Sequence, residues 1–400
     1  MKHFTNYNIH FYTDILFGKD TENQAGNMLK KHGGQRVLII YGKGSIKTTG
    51  LYDRVLDSLK QKHIYFLELG GVEPNPRRSL VEEGVKLALE ENLDSVLAIG
   101  GGSVIDTGKA VALAIANNGE YWKFLNGTEP EKMAPLGAIT TIAAAGSETS
   151  RSCVIKDDIE TGRKMSLLYD SCRPAFAILN PELTYTVSAW QTGVGAADIF
   201  AHTISRYFFK DTPVSHIGDE FCESLMRTVI RFSSPAIDEP QDYEARAELM
   251  MCSFLSHSDL MGMGRSGPRG GEHALESQVS GHYDTAHGAG LAVIMPAWLS
   301  YIAQNGSKEQ IARVAQFGIK VFGINADLPN NKDIALEGIK AFRSWLKSIG
   351  QPLTFKELGV PKQDLYKMVE RCINHNKGIV PGFMELDDKA VREIFSSVME

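Results

Sequence analysis

Cysteine is scarce in this chain: five in 400 residues, at Cys153, Cys172, Cys222, Cys252 and Cys372. The number is odd, the spacings are long and no Cys-x-x-Cys pair occurs. That argues against a disulfide framework or a zinc–thiolate site and fits a reducing, cytoplasmic setting. No stretch is basic with interleaved aromatics, and the net charge is −6, so nucleic acid is not an expected partner. Long apolar runs are also missing. The longest, "LAVIMPAWL" at residues 291–299, contains a proline and is too short to span a bilayer. The opening "MKHFTNYNIHFYTDILFG" alternates like a strand and lacks the apolar core of a signal peptide. There is no internal repeat and no low-complexity tract. A soluble protein is expected, in two domains, because single cores stop growing at roughly 250–300 residues.

What is present changes period midway. In the first half, short buried-strand runs alternate with helical patterns: "RVLIIYG" (36–42), a helix "GLYDRVLDSLKQ", "IYFLEL", a turn "GVEPNPR", a helix over 79–91, "DSVLAIGGG", then "SVIDTGKAVALAIAN". Repeated β-α units imply a parallel, doubly wound sheet. "LGAITTIA" and "FAILNP" close this half near Pro181. After about residue 188 the apolar residues recur at helical spacing, as in "AWQTGVGAADIFAHTISRYF" and "YEARAELMMCSFLSHSDLMG". The second half therefore reads as all-helical.

Two glycine loops sit where ligands of such sheets bind, beyond the carboxyl ends of strands. "AIGGGSVID" (98–106) lets backbone N–H groups approach a phosphate at a helix N-terminus, although a purely structural turn would look similar. It matches neither GxGxxG nor the P-loop pattern. "YGKGSIKTTG" (41–50) carries Lys43 and Lys47 and no acid. An acid there would hold the NAD ribose and repel a 2′-phosphate, so its absence predicts NADP(H) over NAD(H). Two ordinary surface lysines on a solvated turn are the plainer alternative.

Asp198 and His202, four apart on an expected helix, share a face. His273 and His287 lie fourteen apart, which on an unbroken helix is about 21 Å. Ligand bonds of about 2.1 Å demand that the chain turn back between them, and Gly281 is the expected break, with His287 in a loop before the next helix. One oxygen and three nitrogens suit Fe²⁺, Zn²⁺, Co²⁺, Ni²⁺ or Mn²⁺ alike. His282 reads as a pocket residue; the remaining histidines, His257 among them, read as structural or surface.

The ordered series "ILFGKD", "YGKGSIKTTGLYDRVLDSL", "GVEPNPR", "AIGGGSVIDTGKAVA", "TTIAAAGSETS", "AILNPELTYT", "GAADIFAHTISRYF", "DYEARAELM" and "YDTAHGAGLAVIMPAW" resembles the iron-containing (group III) alcohol dehydrogenases. The likeness is to the branch of butanol dehydrogenases and NADPH-dependent aldehyde reductases. The resemblance implies a Rossmann-like dinucleotide-binding α/β domain over residues 1–187 and a helical metal-binding and substrate domain over 188–400, with the active site in a cleft between them. It implies hydride transfer between NAD(P)(H) and a primary alcohol or aldehyde, with Fe²⁺ the leading metal, and a homodimer built through N-terminal strands. Metal positions match Asp198, His202, His273 and His287; cofactor positions match Gly42, Gly44, Ser45, Asn75, Gly101, Gly102, Ser103, Asp106, Thr141, Ser147 and Lys164.

Three departures stand out. Asn180 replaces the usual aspartate of a Leu-Asp-Pro turn. The glycine-rich segment before His273, "GRSGPRGGE", differs from the commoner patterns. Ser277 stands where the family carries a proton-relay histidine, which leaves His282, cofactor hydroxyls and water as candidates for that role. Two other readings of the same features are a lyase or synthase on this fold, as in dehydroquinate synthase-like proteins, and a catalytically impaired metal or nucleotide binder.

Overall fold

The computed structural model describes residues 9–210, 215–265 and 269–400. The alternation of residues 1–8 and residues 266–268 of the divergent glycine-rich segment lie outside the described residues. The chain forms two compact units, His10–Val187 and one built on Ser188–Glu400.

In the first unit the order is β1 (Asp14–Phe17), α1 (Ala25–Lys31), β2 (Arg36–Tyr41), α2 (Ser45–Thr48), α3 (Leu51–Gln61), β3 (Tyr65–Leu69), α4 (Arg78–Glu90), β4 (Ser95–Gly100), α5 (Gly102–Ala116), α6 (Trp122–Leu125), β5 (Leu136–Thr140), β6 (Ser152–Lys156), β7 (Lys164–Leu168) and β8 (Phe176–Leu179). Six strands form one parallel sheet in the order β1-β8-β5-β4-β2-β3, with Ile39 opposite Leu97 and Leu97 opposite Gly137. A parallel sheet must be covered on both faces, and the alternation along each strand divides the core accordingly. Leu38, Ile40, Val96 and Ala98 pack against Val81, Val85, Ile105 and Val111 of α4 and α5. Val37, Ile39, Leu97 and Ile99 face Leu29, Val55 and Leu59 of α1 and α3.

From β2 the chain steps one way to β3; from β4 it steps the other way to β5 and β8. The reversal falls between β2 and β4, so the loops after these two strands border the crevice that such sheets offer to ligands. The antiparallel hairpin β6–β7, with Val154 opposite Ser166, is absent from the sequence reading. Each strand is five residues long, and only Cys153, Ile155 and Leu167 are buried, too few to register as a pattern.

The second unit contains α7 (Ala189–Tyr207), α8 (His216–Asp238), α9 (Tyr243–Ser256), α10 (Glu272–Tyr283), α11 (His287–Asn305), α12 (Lys308–Phe322), α13 (Asn331–Ser348), α14 (Leu365–His375) and α15 (Asp388–Ser396). Isolated bridges Phe209–Arg269 and Val380–Leu386 are its strand pairings among the described residues. Helix α7 is capped by Ser188, whose hydroxyl accepts from the Gln191 N–H, and is buried continuously from Gly195 to Tyr207. Aromatic rings fix its surroundings: Phe200 stacks on Phe342 at 4.9 Å, and Phe208 meets Trp298 edge-on at 5.6 Å. No helix among the described residues is long and apolar enough to cross a membrane.

Candidate metal centre and nucleotide-binding edge

Helix α7 brings Asp198 and His202 onto one face, both buried, with His202 Nε2 3.4 Å from Asp198 Oδ1. His273 is the second residue of α10, and the other two histidines meet it there: ring nitrogens of His202, His273 and His287 all lie within 4.8 Å of one another. His287 Nε2 is also 3.9 Å from Asp198 Oδ1. A Cβ on Gly288 would collide with the Val194 carbonyl and lie 3.1 Å from Asp198 Cβ, so glycine is what lets α11 come this close to α7.

The chain does turn back between His273 and His287, but not where the sequence places the break. Gly281 is helical, and the turn is made by Asp284 in the left-handed region (φ 51°), a conformation that Asp tolerates better than most residues. His287 is accordingly the first residue of α11, not part of a loop before it.

A four-coordinate ion with bonds near 2.1 Å needs donors about 3.4 Å apart. The distances above are of that order, before any closing on an ion. Two of the nitrogens are also otherwise unspent: among the described residues, buried His202 Nε2 and His273 Nε2 have no hydrogen-bond partner. Burial, with the charges of His257 and His273, pushes the His202 imidazole well below the usual histidine range, so it is neutral and keeps a lone pair for a metal. The residues therefore fit a divalent ion.

Sequence reasoning missed four neighbours. His257, set aside as structural, has its ring 4.3 Å from that of His202. Glu272 lies 2.9 Å from His273 Nδ1 and also accepts from Ser205 Oγ; Glu276 lies 2.5 Å from His287 Nδ1. Burial opposes ionisation of Glu272, but its bonds to His273 and Ser205 outweigh that and hold its carboxyl below the usual range. The i, i+4 spacing of these two glutamates, one of them adjoining His273, was the available signal. Ser277 and His282 are not brought into the histidine cluster. The Ser277 hydroxyl donates to the Ala274 carbonyl, and His282 is exposed at the end of α10 with its ring 4.8 Å from Tyr283.

Apart from Lys164, the residues matched to cofactor positions follow the carboxyl ends of β2, β3, β4 and β5, which point the same way in a parallel sheet. Gly42, Gly44 and Ser45 follow β2, and the loop includes the short helix α2. Asn75 holds a left-handed turn (φ 57°) before α4. Gly101 caps α5, whose first turn contains Gly102 and Ser103 and directs N–H groups outward. Thr141 follows β5, with its N–H on the Gly100 carbonyl, and Lys164 opens β7. Asp106 is partly buried, accepting from Ser147 Oγ (2.6 Å) and the Val154 N–H (2.9 Å).

The acid-free look of residues 41–50 does not survive folding. Lys43 pairs with Glu73 at 2.7 Å, and Lys47 pairs with Glu68 at 3.2 Å while resting over the rings of Tyr41 and Tyr52. Asn180 also gains a reason: its Nδ2 donates to buried Glu22, 2.9 Å away, which an aspartate could not do.

The chain carries a parallel α/β sheet and a cluster of three histidines at metal-ligand distance, and comparison with known proteins places it. Residues 13–181 match the profile of the iron-containing alcohol dehydrogenases, and residues 191–399 match that of the C-terminal region of the same family. The chain belongs to the iron-containing alcohol dehydrogenase family. It is 37% identical to NADH-dependent butanol dehydrogenase A of Clostridium acetobutylicum, over 96% of this chain and 97% of that protein. It is 32% identical to NADPH-dependent aldehyde reductase YqhD of Escherichia coli, over 92% and 93%. The crystal structure of NADH-dependent butanol dehydrogenase A from Thermotoga maritima superposes with a TM-score of 0.93, at 35% identity and full coverage of both chains.

Proposed function

We propose that the chain interconverts a primary alcohol and its aldehyde with NAD(P)(H), using one divalent ion, Fe²⁺ first, held by Asp198, His202, His273 and His287. The observation that carries this reading is the unspent pair of buried Nε2 atoms on His202 and His273, facing His287 and Asp198. When bound, the ion supplies Lewis-acid polarisation of the substrate oxygen, and the nicotinamide supplies the hydride acceptor or donor. The protein's part is placement. Gly101, Gly102 and Ser103 offer N–H groups to the pyrophosphate at the start of α5, with Gly42, Gly44, Ser45, Asn75, Asp106, Thr141 and Ser147 around it and Lys164 towards the nicotinamide. Family membership counts against the lyase or synthase reading, and an intact donor set counts against an impaired binder.

NADP(H) is the favoured cofactor, with Lys43 receiving the 2′-phosphate. The Lys43–Glu73 pair is exposed and weakened by solvent screening, so a phosphate can replace Glu73. The margin over NAD(H) is small, because Glu68 and Glu73 still border the loop. For the proton that accompanies hydride, Ser277 is spent on its own helix. Cofactor hydroxyls and water carry that role, because His282 stands outside the histidine cluster, nine residues along α10 from His273. The protein works in the cytoplasm as a homodimer; edge strand β1, preceded by exposed Phe11 and Tyr12 and ending at exposed Phe17, supports pairing there.

The test is His202→Ala, followed by metal analysis and NAD(P)H oxidation with short-chain aldehydes. Loss of metal and of nearly all turnover, with the circular dichroism spectrum unchanged, is expected. Full metal occupancy and activity would overturn the ligand assignment.

A further inference from the structure

We infer that Glu272 and Glu276 are the positioning residues of this centre, and that Gly270 and Gly290 leave the space in which they do it. The inference rests on the ligand assignment above. Both glutamates are fully buried and lie four residues apart on α10. Buried carboxylates are costly unless paired and hydrogen-bonded. Each of these meets the Nδ1 of a different ligand histidine: Glu272 that of His273, its neighbour in sequence, and Glu276 that of His287, reached across the Asp284 turn. An ionised carboxylate only accepts. It therefore keeps the proton on Nδ1 and leaves Nε2 with its lone pair, and it makes the imidazole a stronger donor to a metal. One rigid helix thus fixes the ring orientation of two ligands, one its own and one from α11.

The backbone is shaped around these carboxylates. A Cβ on Gly290 would collide with Glu276 Oε1, and one on Gly270 would lie 2.5 Å from Glu272 Oε2. Gly290 is inside α11, where alanine would ordinarily be the better helix former. Its retention has a local cause in the room that Glu276 needs.

The experiment titrates metal-stripped full-length protein with Co²⁺, reading affinity and the d–d absorption bands, for wild type and for Glu272→Gln, Glu276→Gln, Glu276→Asp, Gly290→Ala and His202→Ala. Each Gln variant keeps an acceptor oxygen but loses the charge. Each should weaken Co²⁺ binding about 10–100-fold and shift the visible bands, while NADPH affinity in the absence of metal stays unchanged. Glu276→Asp should recover part of the loss. Gly290→Ala should reproduce the Glu276→Gln result with no polar group altered, and it carries the test should a Gln variant fail to fold. Co²⁺ affinity within twofold of wild type and unshifted bands in Glu276→Gln or Gly290→Ala would reduce the carboxylates to space-filling. His202→Ala separates the two ideas: if it too binds Co²⁺ as wild type does, the ligand assignment itself falls.

Discussion

Replacing Lys109 by methionine removes a charge from the interior of the nucleotide-binding unit while keeping a similar apolar stem. Lys109 is fully buried on α5. Its ammonium donates to Ser147 Oγ (2.8 Å), to the Ser150 carbonyl (3.1 Å) and Oγ (3.2 Å), and to the Ser152 carbonyl (2.6 Å). It also lies 3.6 Å from Asp106 Oδ1. The cation therefore pins residues 147–152, the approach to β6, onto α5. Removing one partner of a buried pair costs about 3–5 kcal/mol. Asp106 keeps the Ser147 hydroxyl and Val154 N–H as donors, so about 3 kcal/mol at pH 8 is expected, out of a total of about 5–15 for a domain.

The sign of the pH dependence follows from Asp106. Burial already pushes its carboxyl above the usual range, against the pull of Lys109, Ser147 and the Val154 N–H. Without Lys109 the folded-state pKa rises further. The unfolded chain is common to both proteins, so the variant's deficit grows with pH as the pH rises from the wild-type folded pKa, already above the usual range, through the still higher folded pKa of the variant. Urea unfolding at pH 5 and pH 8, compared with wild type, measures it. NADPH affinity should fall in the same variant, because Ser147 and Asp106 border the α5 N-terminus, while Co²⁺ affinity should not change. A loss under 1 kcal/mol at both pH values would refute the bracing role.

Three other outcomes are expected. kcat/KM should be higher with NADPH than with NADH, and Lys43→Ala should narrow the gap; a preference for NADH in wild type would show that Glu68 and Glu73, not the lysines, govern the loop. Asn180→Asp places an acceptor against Glu22 where a donor stood, and thermal unfolding should report a loss of about 1–3 kcal/mol; an unchanged melting temperature would mean that the Asn180–Glu22 bond contributes little. His282→Ala should leave metal content and turnover from pH 6 to 9 close to wild type, since the residue lies outside the histidine cluster; turnover slowed by the about 10²–10⁴-fold typical of a positioned acid–base group would return the proton to His282.

Much of this protein is local and was open to reading along the chain. The buried β-branched run 36–41 and the all-buried run 95–100 make parallel strands because no polar face is left to them. The four-residue step from Asp198 to His202 makes a shared helical face whatever surrounds it. Other features were decided only when distant segments met. The turn at Asp284, not Gly281, depends on how α11 docks on α7 through Gly288. The carboxylates bordering the 41–50 loop come from β3 and from the turn before α4, and they neutralise lysines that looked unopposed. His257 reaches His202 across 55 residues of chain, and Glu276 reaches His287 through space that Gly290 leaves open. Spacing reports the faces of single helices and strands, whereas hydrogen bonds, ion pairs and donor sets arise between elements, where packing alone sets the distances.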